Sequence, residues 1–171
     1  MRQVESKLRW SDHEAVLARA LEAGASDEGL LVQRDQFYGV PKGRLKLRTI
    51  AGVRSELIAY DREDAAAPRA SDYGLYPTGA AALLDEVLGR VLERSGVLEK
   101  TRHLLIFRHT RIHLDDVVGL GRFVELETLI QDQSESDAVA EHDEVINVLG
   151  LADAERIAVA YIDLTKAKAT S

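Results

Sequence analysis

The chain contains no cysteine. This absence excludes disulfide bonds, thiolate zinc sites and a thiol nucleophile, and it fits a reducing compartment. No stretch approaches the roughly eighteen consecutive apolar residues of a membrane-spanning helix. The first residues also lack the apolar segment of a secretory signal peptide. The sequence therefore predicts a cytoplasmic protein with no membrane partner.

Positive charge is scarce overall, and aromatic residues make up only 5% of the chain. The net charge of −7 argues against binding to a nucleic-acid backbone, and the few aromatics argue against base stacking. Cations are nevertheless concentrated locally, with six basic residues against two acids between positions 42 and 62. An acidic chain with local cationic segments predicts a small anionic ligand held inside the protein.

Prolines are also few, three in 171 residues, and 46% of the residues are hydrophobic. This composition is typical of a globular protein, and the length predicts a single domain spanning residues 1–171. Period-two strand patterns outnumber helical ones and favour an α+β fold, or a barrel decorated by helices. Residues 64–77 are predicted to form a loop. The predicted helices run from Ser11, opened by a capping box, to Ala23, from Thr78 to Ser95 with a buried leucine and valine stripe, and from Ser136 to Leu149, with a short helical tail after Leu151.

Ionisable residues recur at every second position in several predicted strands, which places them on one face of each strand. Period two does not say which face points inward. Facing outward, the cations would form a solvated surface and the glutamates would be surface ion-pair partners. Facing inward, they would require a bound polyanion and metal ions for neutralisation. The alternating sets are Glu5, Lys7 and Arg9; Arg44, Lys46 and Arg48; Lys100 and Arg102; and Glu125 and Glu127.

The order of these segments resembles the CYTH superfamily, also called triphosphate tunnel metalloenzymes, which includes class IV adenylyl cyclases and thiamine triphosphatases. The resemblance covers nearly the whole chain. Its most specific part is the segment from Arg111 to Glu127, and Gln3-Val4-Glu5-Ser6-Lys7 matches the Glu-x-Glu-x-Lys motif except that Gln3 replaces the first glutamate. The resemblance implies an α+β fold in which a closed eight-stranded antiparallel β-barrel forms a tunnel, with helices packed outside.

The resemblance also implies roles for individual residues. Magnesium or manganese would be held by Glu5, Glu125 and Glu127, and Lys7 and Asp115 would be catalytic. Asp115 could instead serve the turn before Gly119. The residues implied to bind the triphosphate are Lys7, Arg44, Lys46, Arg48, Arg62, Lys100 and Arg102.

The implied activity is that of a class IV adenylyl cyclase, which converts ATP to cyclic AMP and pyrophosphate. One alternative is a triphosphatase acting on thiamine triphosphate, a nucleoside triphosphate or inorganic triphosphate. Another is a noncatalytic or repurposed tunnel for a different anionic metabolite, and a homodimer is left open. Tyr60 and Tyr161 are predicted to pack or to form hydrogen bonds. The histidines, including His109 and His113, show no spacing typical of a zinc site.

Overall fold

The computed structural model describes residues 2–61 and 69–169. The described part contains nine strands and four helices. In chain order they are β1 (Arg2–Arg9), α1 (His13–Glu22), β2 (Ser26–Tyr38), β3 (Arg44–Ile50), β4 (Arg54–Asp61), β5 (Arg69–Thr78), α2 (Ala81–Gly89), β6 (Arg94–Phe107), β7 (Thr110–Val117), β8 (Gly121–Leu129), α3 (Glu135–Val148), β9 (Glu155–Arg156) and α4 (Tyr161–Ala169).

All described strands belong to one sheet, in the order β5-β4-β3-β2-β6-β7-β8-β1-β9. Every pairing is antiparallel. Strand β1 pairs with β8 and also with β5 at the other end of this order. The prediction of an α+β fold built on antiparallel strands is confirmed.

The outer face of the sheet carries the main hydrophobic core. Leu8 of β1 and Leu126 of β8 are buried there against Val16 of α1 and Val145 of α3. In β1 the alternate residues Gln3, Glu5 and Lys7 point to the opposite face, as period two requires. The helices therefore cover the apolar side of these strands and leave the ionisable side facing inward.

Helix α1 begins one residue later than the predicted capping box implies. Asp12 is the N-cap, and its Oδ1 accepts a hydrogen bond from the backbone N–H of Ala15 at 3.0 Å. Ser11 instead precedes the helix. Aspartate and serine are equivalent caps, so the local pattern allowed either residue.

Two predictions between positions 64 and 95 were wrong. The loop predicted over 64–77 is strand β5 from Arg69 onward, because pairing with β4 and β1 supplies order that the local sequence does not signal; residues 64–68 lie outside the described part. The helix predicted over 78–95 is limited to α2. Its expected stripe is not buried: Leu83 is 62% and Val87 52% accessible, and the leucines at positions 84, 88 and 92 are only partly buried. Pairing between β2 and β6 takes residues from Arg94 onward into the sheet.

None of the described helices is long and apolar enough to cross a membrane.

Candidate active site

A cavity of about 500 Å³ lies on the inner face of the sheet. Strands β1 to β8 all contribute lining side chains, and residues 160–162 at the start of α4 complete it. Seven cations and five carboxylates are among the described side chains that line the cavity. Charges at this density are buried only when they are paired or bind a ligand. Their contacts therefore distinguish the charges that are paired within the protein from those that remain available to a ligand.

The first group of charges, the Asp35 cluster, consists of Asp35, Lys46 and Arg48. The register of β2 and β3 places Asp35 opposite Arg48. Lys46 Nζ donates to Asp35 Oδ2 at 2.7 Å, while Arg48 Nε and Nη2 donate to the two carboxylate oxygens at 2.9 and 3.0 Å. Burial alone would raise the pKa of Asp35, but the Lys46 and Arg48 cations outweigh burial and hold that pKa well below its usual range. Burial, reinforced by neighbouring Arg48, lowers the pKa of Lys46 to about 8.

The second group, the Asp115 cluster, consists of Asp115, Lys100, Arg102 and Tyr161. Asp115 is fully buried and lies opposite Arg102 in the register of β6 and β7. Its oxygens accept hydrogen bonds from Lys100 Nζ at 2.7 Å, from Arg102 Nε and Nη2 at 2.6 and 2.7 Å, and from the Tyr161 hydroxyl at 3.2 Å. Burial opposes ionisation, but Arg102 and Lys100 overcome it and keep the pKa of Asp115 well below normal.

Tyr161 connects this cluster to β1. Lys7 Nζ lies 4.3 Å from the centre of the Tyr161 ring and donates to the Val159 carbonyl oxygen at 3.1 Å. The adjacent Ile162 approaches β6 at Gly96, where a Cβ atom would lie 2.8 Å from Ile162 Cδ1. A glycine at position 96 therefore lets the start of α4 sit close against the cavity.

The third group, the His113 cluster, consists of His113, Glu125 and Glu127. One potential ligand atom from each residue lies within 4.8 Å of the others. His113 Nδ1 is 3.9 Å from Glu125 Oε2 and 4.0 Å from Glu127 Oε1. Burial, followed by Arg102, lowers the pKa of His113 to about 4, so the imidazole is neutral at pH 7. Two carboxylates and a neutral imidazole are suitable ligands for a divalent cation.

The contacts of the two glutamates in this cluster differ. Glu125 Oε2 accepts a hydrogen bond from Arg102 at 2.7 Å, and its Oε1 lies 3.8 Å from Lys7 Nζ. Glu127 has only longer contacts with the cationic side chains that the structure describes, the nearest being 3.5 Å to Arg111 Nη1. Their side chains are only 13% and 17% exposed, so neither glutamate is a surface ion-pair partner.

Most of the site residues predicted from the sequence lie around this one cavity, and Asp115 lies behind it in contact with Lys100 and Arg102. Arg44 does not line the cavity; its Nη2 lies 2.7 Å from Asp163 Oδ2 of α4. Arg62 lies outside the described residues. The predicted residues that line the cavity are Glu5, Lys7, Lys46, Arg48, Lys100, Arg102, Glu125 and Glu127.

Sequence reasoning missed two central residues. Asp35 was not selected, although the alternation of Gln33, Asp35 and Phe37 in a predicted strand was a usable signal. His113 was compared with His109 along the chain, whereas its partner is Glu125, directly opposite on β8. The Glu5 side chain is not part of the His113 cluster; its Oε2 accepts a hydrogen bond from Gln3 Nε2 at 3.3 Å.

An antiparallel sheet whose eight longer strands line a charged cavity, with helices packed on its other face, places the chain in the α+β class. The family model of the CYTH domain matches residues 1–161 of this chain. The chain therefore belongs to the CYTH family. No curated protein sequence matches it.

Solved structures share the fold at low sequence identity. The PH1012 protein of Pyrococcus horikoshii superposes with a TM-score of 0.83 at 21% identity, covering 95% of this chain and 98% of that one. A candidate adenylate cyclase from Vibrio parahaemolyticus gives 0.77 at 19% identity, with 96% and 97% covered. A candidate adenylyl cyclase from Hippeastrum, with a dominant triphosphatase activity, gives 0.67 at 11% identity, with 98% and 95% covered.

Proposed function

We propose that this chain is a metal-dependent enzyme that acts on a nucleotide or another organic triphosphate bound in the cavity. The observation that carries the proposal is the charge of the lining, where seven cations face five carboxylates among the described side chains. With Asp115, which pairs with Lys100 and Arg102 from behind the lining, seven cations stand against six carboxylates, and this net positive charge favours an anionic ligand. A triphosphate carrying one divalent cation is such a ligand, with a net charge of about −2.

We infer that the sheet closes into an eight-stranded tunnel around this ligand. Strand β1 pairs with β8 through Glu5 and Lys7, and Glu5 also lies opposite Arg69 of β5. Following the strand pairings from β1 through β8 and on to β5 therefore leads back to β1. Such closure would direct the charged faces of all eight strands towards one bound molecule.

The Asp35 cluster is suited to hold phosphate oxygens. Arg48 uses Nε and Nη2 on Asp35, which leaves its Nη1 donors for a ligand, and an ammonium such as that of Lys46 has three donors. Because Asp35 fixes both side chains, they are preorganised and lose little conformational entropy when phosphate binds. Lys7, Lys100 and Arg102 would extend the same contacts along the triphosphate.

The organic part of the ligand would lie against apolar side chains that share the cavity. Ile58 and Tyr60 of β4, with Tyr73 and Leu75 of β5, line it beside Phe37. An inorganic triphosphate would leave this surface without a partner. The buried Gln33 Oε1 also has no hydrogen-bond partner, so it can accept an N–H or O–H from a base or sugar.

The resident cation would be held by Glu125 and Glu127, with Glu5 on the neighbouring strand. The unpartnered, buried His113 Nδ1 beside these carboxylates supports a cation there. Gln3 Oε1 is likewise buried without a partner, so Gln3 keeps an oxygen acceptor where the family motif has a carboxylate. When bound, a divalent cation neutralises phosphate charge and lowers the pKa of the attacking hydroxyl or water.

The cations of the Asp115 cluster would stabilise charge that develops on the phosphoryl oxygens. Asp115 itself accepts hydrogen bonds from Lys100, Arg102 and Tyr161, and its pKa is held low. We therefore assign Asp115 a positioning role, in which it orients these side chains and does not take up a proton. In the cyclase reaction the ribose 3′-hydroxyl attacks the α-phosphorus, and pyrophosphate leaves.

Hydrolysis is the second candidate, because a dominant triphosphatase activity belongs to the structurally similar Hippeastrum protein. The same lining residues would hold the triphosphate while water attacks the γ-phosphorus. The two reactions differ in the nucleophile and in the phosphorus that it attacks, and the position of the ribose in the cavity decides between them.

The test is to incubate purified protein with Mg²⁺ or Mn²⁺ and ATP, thiamine triphosphate or inorganic triphosphate. Phosphorus NMR then distinguishes cyclic AMP with pyrophosphate from orthophosphate. We expect turnover of an organic triphosphate that requires metal. Binding without turnover would favour a noncatalytic tunnel. No turnover, together with a melting temperature unchanged by every triphosphate, would contradict the proposal.

A further inference from the structure

His113 is a buried side chain in a charged cavity, and its Nδ1 has no hydrogen-bond partner among the described residues. The residue is 3% exposed. Its Nδ1 faces Glu125 Oε2 at 3.9 Å and Glu127 Oε1 at 4.0 Å. These distances exceed the ~3.2 Å limit of a hydrogen bond, so neither glutamate satisfies the nitrogen. Leaving a buried polar atom unsatisfied is unfavourable, which calls for an explanation.

We propose that His113 is a direct metal ligand that, together with Glu125 and Glu127, selects a divalent transition ion such as Mn²⁺ over Mg²⁺. The proposal rests on the metal site of the proposed function, and it adds a nitrogen donor to the implied carboxylate ligands.

The spacing of the three ligand atoms suits one shared ion. Metal–ligand bonds of ~2.0–2.2 Å place adjacent ligands about 3 Å apart and opposite ligands slightly over 4 Å apart. The His113–glutamate distances fall within this range, and the three atoms together fit within 4.8 Å. Small side-chain adjustments would therefore complete the site without moving a strand.

The donor set explains the selectivity. Mg²⁺ requires oxygen ligands in near-ideal octahedral geometry and retains its waters. Imidazole nitrogen suits first-row transition ions such as Fe²⁺ and Zn²⁺ best, and Mn²⁺, which also binds carboxylates well, accepts a nitrogen ligand more readily than Mg²⁺ does.

The strands hold the imidazole in place. His113 of β7 lies directly opposite Glu125 of β8 and Leu104 of β6. Glu125 is in turn anchored by Arg102 Nη2 at 2.7 Å. The nitrogen and at least one carboxylate are therefore positioned before any ion arrives, which reduces the entropic cost of binding it.

The direct test is electron spin-echo envelope modulation on the unmodified protein loaded with Mn²⁺. We expect a ¹⁴N modulation typical of a directly bound imidazole, changing to the ¹⁵N pattern when histidine is ¹⁵N-labelled. This measurement needs no variant, so it does not depend on whether a substituted protein folds. Mn²⁺ bound without nitrogen coupling, or no Mn²⁺ bound at all, would overturn the proposal.

Equilibrium titrations of His113→Leu provide the second measurement. We expect the Kd for Mn²⁺ to rise about tenfold or more and the Kd for Mg²⁺ to change less than about twofold. The matched control is His109→Gln, since His109 is half-exposed and bonded to Glu141 away from the cavity. Equal weakening of both metals in His113→Leu would contradict the assigned selectivity.

These outcomes separate the inference from the proposed function. Nitrogen coupling without turnover of any triphosphate would keep His113 as a ligand and reject the enzyme. Turnover with Mn²⁺ bound but without nitrogen coupling would keep the enzyme and reject His113 as a ligand.

Discussion

Asp35 and Asp115 differ from Glu127 in how closely cations hold their carboxylates. Asp35 and Asp115 each accept short hydrogen bonds, 2.6–3.0 Å, from a lysine and an arginine on an adjacent strand. Among the described side chains, Glu127 has no cation closer than the 3.5 Å of Arg111. The aspartates therefore fix the cations in position, whereas Glu127 keeps lone pairs for an incoming metal ion. Preorganised cations and available carboxylates are complementary requirements of a metal–triphosphate site.

The largest predicted effect is on the aspartate side of this comparison. Asp115→Asn removes the carboxylate that forms the closest ion pairs of the buried Lys100 and shares Arg102 with Glu125, and we expect the free energy of unfolding to fall by about 3–5 kcal/mol. Urea denaturation measures the change. The matched control is Asp116→Asn on the same strand, where a half-exposed side chain lies 3.7 Å from Arg122 and a loss below about 1 kcal/mol is expected. Similar losses in both variants would remove the distinction between the two kinds of carboxylate.

The second prediction concerns the glutamate side. Glu127→Gln removes an anionic metal ligand but no short ion pair, so metal-dependent turnover should fall about 100-fold while the free energy of unfolding changes by less than about 1 kcal/mol. Turnover assays and urea denaturation of the same preparation give both values. Glu14→Gln, on the exposed face of α1, serves as the control. Parallel losses of activity and stability would indicate a structural role for Glu127.

The comparison extends to the two buried histidines. His142 is fully buried, with Nε2 at 2.8 Å from Ser6 Oγ and Nδ1 at 2.9 Å from Thr128 Oγ1, in contrast to the unpartnered Nδ1 of His113. Burial lowers the pKa of His142 to about 4. The unfolded state, with a pKa near 6.5, therefore binds the proton first as the pH falls.

We accordingly expect stability to be retained above pH 6.5 and to fall by about 2–3 kcal/mol between pH 6.5 and 4 through His142. Unfolding free energies measured across this range should show a weaker pH dependence in His142→Gln than in the unmodified chain. His109→Gln should retain the original dependence. An unchanged slope in His142→Gln would show that its titration is not linked to folding.

The smallest predicted effect concerns phosphate binding. With a pKa of about 8, Lys46 loses its charge between pH 7 and 9, so triphosphate affinity should weaken about tenfold over that interval. In Lys46→Arg the charge persists, and the pH dependence should largely disappear. Isothermal titration calorimetry at both pH values measures it. Identical pH profiles in the two proteins would place the titration elsewhere.

Strand alternation predicted much of the cavity because period two is a local property of the chain. The positions of Lys46, Arg48 and Glu127 on inward faces follow from their spacing alone, once the apolar faces are assigned to the core. Contacts between strands depend on register, which the sequence does not state. Asp35 opposite Arg48 and His113 opposite Glu125 were therefore missed.

The loop and the helix that were wrongly predicted between positions 64 and 95 also have their explanation in the tertiary structure. Residues 69–77 show no clear strand period, yet they pair with neighbours on both sides and form β5. Residues 83–92 have a helical period, but pairing between β2 and β6 takes the chain from Arg94 onward into the sheet, and no residue of α2 is buried. In both places long-range pairing outweighs local preference.

The central claim is that the cavity binds a triphosphate together with a metal ion at the available carboxylates. Isothermal titration calorimetry with an ATP analogue, bridged by methylene groups at both the α,β and β,γ positions, tests it without turnover. We predict one site per chain, with Mn²⁺ strengthening binding at least tenfold and Glu127→Gln abolishing that enhancement. Binding that is absent, or equally tight with and without metal, would contradict the account.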